Sequence, residues 1–347
     1  MIKRILNLTL LFLLSSAVSA EDRKDVTQQF IKLALQGDLS VAHSLFSGQD
    51  TQHLSSGSIE LSRQFQSRFV DQVADASPGT GDVLADSLVT AYRTYWKLGL
   101  TGELSGQQAG IFLEKALAEI LASHDIPVEP QPSSDIYQKM GLALTQRGFH
   151  FLEADAPPFR DLFLWKTEEV RRYSVRLTDG SENVDVVFLS DLFSLGWKEY
   201  ATFGLAFTTG WVTDGRLYCI DWAYDRQSEK FEVSYLKHES RHLADFRDFP
   251  GLSSADLEYR AKLTELAFAS TTALRLMEDF SRKSIPNPQA PHAYANYRVT
   301  RDIYRQIMNE PFPESTQPWA GISTAKITRA SRSLLEADSS RLRALSR

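Results

Sequence analysis

Thiols are almost missing from this chain: its 347 residues include a single cysteine, Cys219. With no second thiol there is no intramolecular disulfide, so the fold must be held by a hydrophobic core. Cys219 sits inside the apolar run Leu217 to Ile220, the setting of a small buried hydrophobe rather than of a nucleophile. Long apolar runs are missing as well. Beyond the N-terminal stretch no segment approaches ~18 uninterrupted apolar residues, so no stable membrane span is expected in the mature chain. There is no basic excess either: 38 Lys and Arg stand against 44 Asp and Glu, a net charge of -6, which argues against nucleic acid as a partner. A Ser-His-Asp order, a phosphate loop and a Gly-rich nucleotide signature are all absent, which removes the commonest nucleophilic and nucleotide-binding chemistries.

What is present describes an exported protein of ordinary composition. An apolar fraction of 43% and 24% charged residues suffice for one large core or two smaller ones. Met1 to Ala20 places Lys3 and Arg4 ahead of the apolar run Ile5 to Leu14 and ends in Val18-Ser19-Ala20, a signal peptide with cleavage expected before Glu21. No Cys stands at that point to carry a lipid, so the mature chain is expected free in the periplasm or secreted.

Residues 21–150 read as a helical domain. Asp25 to Leu35, Ile59 to Val73, Asp82 to Leu98, Gln107 to Leu121 and Ser134 to Thr145 repeat apolar residues three and four apart, which predicts a bundle of about five helices. Gly79-Thr80-Gly81 and the segment Pro127 to Ser134 break the pattern, and the latter is a candidate linker. Tyr92, Tyr95 and Trp96 share a helical face and are expected in its core. His43, His53, His124 and His150 lack ligand spacing.

After Phe151 the period changes to two. Tyr173 to Leu177 and Val184 to Leu189 flank a hairpin signal at Thr178 to Asn183, and Phe203 to Thr213, Arg216 to Tyr224 and Lys230 to Leu236 read as three further strands. Short connections predict an antiparallel sheet. Its last strand runs into Tyr235 to His242, YLKHESRH, which holds His238-Glu239-x-x-His242. On a helix, positions i and i+4 share a face, so the two imidazoles can hold one zinc ion while Glu239 stands beside the remaining coordination position. A helix to about Phe249, a break at Pro250 to Ser254 and a second helix from Ala255 to about Ser281 follow. A catalytic zinc site of this type needs a third protein ligand, and the second helix offers Glu258 and Glu265. An end of the first helix near Asp245 favours Glu258, and an end near Phe249 favours Glu265.

The order of sheet and motif-bearing helix over Tyr173 to Ser281 resembles the zincin metallopeptidases. Within them, Glu258 followed three residues later by the small Ala261 is similar to the gluzincin pattern, whereas Glu265 is followed by Phe268. The resemblance therefore implies His238, His242 and Glu258 as zinc ligands and Glu239 as general base. It also implies a donor for the oxyanion, for which His292 and Tyr294 in the Pro-rich segment Pro286 to Tyr297 are the candidates, with packing of that loop as their plainer role. The extended metzincin pattern would place a ligand at Asp248, but Asp245 stands where its Gly is needed. Asp245 is instead expected to pair with Arg260 or Lys262, or with a ligand histidine. Arg241 and Lys262 depart from the uncharged and acidic residues usual at their positions.

The expected architecture is α+β: an N-terminal helical bundle, a zincin-like metallopeptidase domain over 151–310 with an antiparallel sheet and active-site helix pair, and a C-terminal helical tail over 311–347. The expected function is zinc-dependent hydrolysis of peptide bonds in a peptide or protein substrate. The alternative is a non-catalytic cell-envelope binding or scaffold protein with a structural or vestigial motif helix.

Overall fold

The computed structural model describes residues 26–46, 54–129, 134–313, 319 and 321–345. The signal-peptide expectation for Met1 to Ala20, residues 130–133 of the candidate linker and His53 lie outside them. The described residues form a mixed α+β fold of twelve α-helices and a five-stranded sheet. In chain order these are α1 (Thr27–Ala34), α2 (Ser40–His43), α3 (Ser56–Phe65), α4 (Val83–Leu100), α5 (Gly106–Ser123), α6 (Ser134–Gln146), β1 (His150–Ala156), β2 (Phe159–Arg176), β3 (Ser181–Leu195), α7 (Gly196–Thr202), β4 (Gly210–Thr213), β5 (Arg216–Ile220), α8 (His238–Asp248), α9 (Ser254–Phe268), α10 (Ala273–Arg282), α11 (Pro291–Met308) and α12 (Thr324–Leu345).

The chain divides into two compact units, one within Met1–Leu164 with Phe193–Phe207, the other Trp165–Leu192 with Thr208–Arg347. In the first, α1 and α3 to α7 bury one aromatic-rich core in which Tyr92, Tyr95 and Trp96 are enclosed as expected. Asp82 and Ser105 accept from the free N–H groups of α4 and α5, the latter in a capping box with Gln108. The buried carboxylate of Asp161 accepts from Trp197 N–H at the start of α7, and Gly196 precedes it at φ +83° because a Cβ there would occupy the place of that carboxylate.

The second unit carries β4, β5 and α8 to α12. The sheet order is β1-β2-β3-β5-β4, with β4 at an edge. β4 and β5 form an antiparallel hairpin through Asp214-Gly215, but β3 and β5 run parallel, Val186 opposite Leu217 and Leu189 opposite Ile220. This corrects the all-antiparallel expectation. A connection through α7 and residues 203–209 separates β3 from β4, long enough for the crossover that a parallel pair needs. The strand expected from Phe203 shrinks to Gly210–Thr213, because Phe203 is the left-handed cap of α7.

The strand expected at Lys230 to Leu236 is helical. Lys230–Lys237 forms wide, π-type turns that run directly into α8. The alternation of Phe231, Val233 and Tyr235 misled because the segment is buried on two sides: Phe231 and Tyr235 stack on each other beside Phe188 and Leu217, while Val233 packs with Ala269 and Ala273. The long second helix is broken in two. Glu229 accepts from the N–H and hydroxyl groups of Ser270, Thr271 and Thr272 and turns the chain between α9 and α10. The segment Pro286 to Tyr297 is not all loop, since α11 starts at Pro291, a residue suited to the first helical turn. The C-terminal tail forms α12, which buries Ile327, Leu335 and Leu342 and packs along α9.

Burial by itself would raise the Glu229 pKa, but its Thr271, Ser270 and Thr272 donors outweigh that and hold the carboxyl well below the usual range. A carboxylate with a depressed folded-state pKa stabilises fully above its unfolded value of about 4.3, and the contribution fades as pH falls below it. Glu229→Gln should therefore lower the urea midpoint at neutral pH, and the wild-type and variant midpoints should approach each other as unfolding is repeated at decreasing pH below about 4.

Candidate metal centre

Helix α9 determines the chemistry of the second unit. Every residue from Glu258 to Ala267 is buried, so there is no solvent-facing stripe to hold its ionisable side chains. An isolated buried charge costs several kcal/mol, so each of Glu258, Arg260, Lys262 and Glu265 requires a partner. The partners come from α8, α11 and α12, all packed against α9.

The acidic pair faces the motif on α8. His238 and His242 lie one turn apart with their rings at 81° and Nε2 atoms 3.2 Å apart. Glu258 brings Oε1 to 3.4 Å from His242 Nε2 and Oε2 to 3.9 Å from His238 Nε2. One ligand atom from each of the three residues falls within 4.8 Å of the others. For zinc bonds of about 2.0–2.1 Å at tetrahedral angles the ligand atoms stand about 3.3–3.4 Å apart, so the three side chains are already near the spacing that one ion would set. The second carboxylate, Glu265, approaches His238 Nδ1 at 2.8 Å. In the neutral ring, a hydrogen held on Nδ1 by Glu265 would leave the lone pair on Nε2, the nitrogen nearest His242 and Glu258.

The two glutamates therefore take different positions. Helix α8 runs to Asp248, the late end expected to favour Glu265, yet Glu258 is the one at the two Nε2 atoms. The residues lie two turns apart on one face of α9, and His238 is met by both, at opposite edges of its ring. Asp248 is bound to the neighbouring Arg247 and takes no part.

The electrostatics suit a cation. Burial would lower the His238 pKa, but Glu258 and Glu265 outweigh it and push it up to about 10. Burial opposes ionisation of Glu258 too, and His238, His242 and His292 hold it well below the usual carboxylate range. With neutral imidazoles the two carboxylates leave two negative charges in a buried space, offset within 4 Å by Lys262 at 3.5 Å from Glu258 Oε2. A dication fits that charge, and the His238 and His242 side chains, each 12% exposed, leave it a path to solvent. His242 Nδ1 is buried and has no hydrogen-bond partner among the described residues.

Glu239 is half-buried on α8 and has no hydrogen-bond or ion-pair partner among the described residues. Its charge acts on the Tyr224 and Tyr235 phenols. Burial lifts the Tyr224 phenol to about 12, with Cys219 and Glu239 adding to the shift against the Thr209 hydroxyl. Of the two candidates on α11, His292 reaches the cluster: its Nδ1 is 3.0 Å from Glu258 Oε2, while the side chain is 78% exposed. Tyr294 stacks on Tyr297 and lies near Arg298, outside the cluster's contacts.

Asp245 pairs with Arg260, one of the partners expected for it, at 2.8 Å. Its other oxygen is 2.9 Å from Arg241, so that charge is buried in an ion pair. Lys262 beside Glu258 and Asp338 on α12 were not anticipated. Spacing four residues from Glu258 marks Lys262, whereas nothing local marks Asp338. Comparison of the chain with protein-family models, with curated proteins and with solved structures returns no match.

The different positions of the two glutamates set different costs. Glu258→Ala should abolish or weaken metal retention far more than Glu265→Ala, whose loss of an outer partner should cost ~10–100-fold. Competition with a chelator measures both, and equal affinities would show that the two positions have been misassigned.

Proposed function

We propose that the chain is a zinc-dependent metallopeptidase of gluzincin type, with His238, His242 and Glu258 as metal ligands and Glu239 as the general base. The observation that carries this reading is the meeting of two Nε2 atoms and a buried carboxylate, with the tautomer of His238 set by Glu265. Bound there, zinc would lower the pKa of a coordinated water toward neutrality and polarise a scissile carbonyl.

The protein's own residues supply the proton handling. Glu239, one residue from His238 and without a competing ion pair, takes a proton from the attacking water and passes it to the leaving amine. In a scaffold role Glu239 would be expected in a salt bridge, so the lack of such a partner among the described residues favours catalysis over the binding-protein reading. His292, exposed above Glu258, can turn toward a substrate oxygen and donate to it. The strand β4 lies at the sheet edge beside α8, a position where an extended peptide can align as a further strand, which favours a peptide or protein substrate. The same reading takes the N-terminal helices as a bundle ahead of a zincin-like part, and places the reaction in the periplasm or outside the cell.

Purified mature chain should hold about one Zn²⁺, lost in His238→Ala and His242→Ala. Glu239→Gln should keep the ion and the fold while lowering peptide turnover by ~10²–10⁴-fold. A peptide-library digest with and without chelator, run on wild type and Glu239→Gln, is the test. Cleavage that survives either the chelator or the substitution would reject the assignment.

A further inference from the structure

Behind the ligand cluster lies a second set of charges. Arg260 is two residues from Glu258, about 200° around the helix, so the ligand and the arginine face opposite sides of α9. Its guanidinium is fully buried and all three nitrogens are engaged: Nε with Asp245 at 2.8 Å, one terminal nitrogen with Asp338 at 2.8 Å and the other with the Ser339 hydroxyl at 3.1 Å. Asp245, also fully buried, stands 2.9 Å from Arg241 on α8, and Arg241 extends to Asp179 in the β2–β3 turn at 2.7 Å. Arg343, further along α12, comes within 4.0 Å of Asp179. The charges Arg343, Asp179, Arg241, Asp245, Arg260 and Asp338 thus alternate in sign along an open circuit that passes through α8, α9 and α12, and Asp338 ends it on Arg341.

We propose that this circuit fixes the angle at which α8 and α9 present His242 and Glu258, with Asp338 and Ser339 of α12 as positioning residues for the metal centre. The inference rests on the metal reading above. A buried ion circuit is poorly explained by stability alone, because well-packed apolar residues of the same volume commonly do as well or better. It does supply direction: a planar guanidinium held at three nitrogens admits one orientation, which a greasy contact does not impose. The circuit touches each ligand helix next to its ligands, Arg241 adjoining His242, Asp245 three residues beyond it, and Arg260 two beyond Glu258. Without Asp338 and Ser339, Arg260 would be held by α8 alone and free to tilt, and Glu258 would tilt with it.

The test uses the full mature chain and Co²⁺, whose visible ligand-field spectrum reports the geometry of its ligands. Asp338→Ala should weaken Co²⁺ binding by ~10-fold or more, in the range of outer-partner losses, and change the spectrum of the bound ion. Asp338→Glu should recover part of both. Leu335→Ala, which removes buried volume from the same helix without touching the circuit, should lower Tm and leave affinity and spectrum as in the wild type. If Asp338→Ala fails to fold, Asp338→Asn carries the same comparison. Wild-type affinity and spectrum in the Asp338 variants would overturn the proposal, as would equal losses in Leu335→Ala, which would reduce the effect to general destabilisation. Failure of the wild-type chain to bind Co²⁺ at all would instead overturn the metal reading, and this inference with it.

Discussion

A helix enclosed on every side has no face on which to leave a charge, and α9 carries four over the eight residues from Glu258 to Glu265. That constraint organises the second unit. Glu258 and Glu265 need positive or hydrogen-bearing groups, and α8 supplies two imidazoles. Arg260 needs anions, which come from α8 and α12. Lys262 lies beside Glu258 and over the Phe280 ring. Few arrangements of the surrounding helices satisfy all four demands together, so packing and site geometry are one problem with one solution.

The same enclosure makes the centre responsive to protons. Without a metal ion, His238 between two carboxylates is stabilised in its charged form. On the proposed metal reading, proton and ion would compete for one nitrogen, and acid would favour the proton. His242 meets only one of those carboxylates, Glu258. The two imidazoles of the motif are therefore unequal partners even though their sequence positions look equivalent.

How much of this the sequence discloses depends on the range of the interaction. The meeting of His238 with His242 was legible because residues four apart on a helix fix their own geometry, and that with Glu258 because one short break separates it from them. The choice between Glu258 and Glu265 was posed as exclusive, since spacing treats both as candidates for the same place. Only the fold shows them at the two edges of one ring. Phe231, Val233 and Tyr235 imitate a strand because period-two burial arises equally from a pleat with one buried face and from a helical segment buried on two. The parallel pairing of β3 with β5 was hidden by the short α7, whose seven residues carry too little periodicity to be read. The break before α10 depends on Glu229, some 40 residues upstream, and Asp338 is 78 residues from Arg260. Contacts of that length leave no local pattern.

The division of the chain has a consequence for the order in which it can fold. The core of the first unit includes Trp197, Tyr200 and Ala201, which are synthesised only after the strands β2 and β3 have carried the chain through the second unit's Trp165–Leu192. A nascent chain that has reached Leu164 therefore has α1 to α6 but not α7, whose residues close their core. The first unit stays incomplete until Phe207 has emerged, and a truncation at the apparent end of the helical region would remove part of its interior. Although the helices come first in the sequence, they cannot finish first, and the exposed apolar surface of Phe30, Phe69 and Trp96 must wait for a segment that returns about 30 residues later.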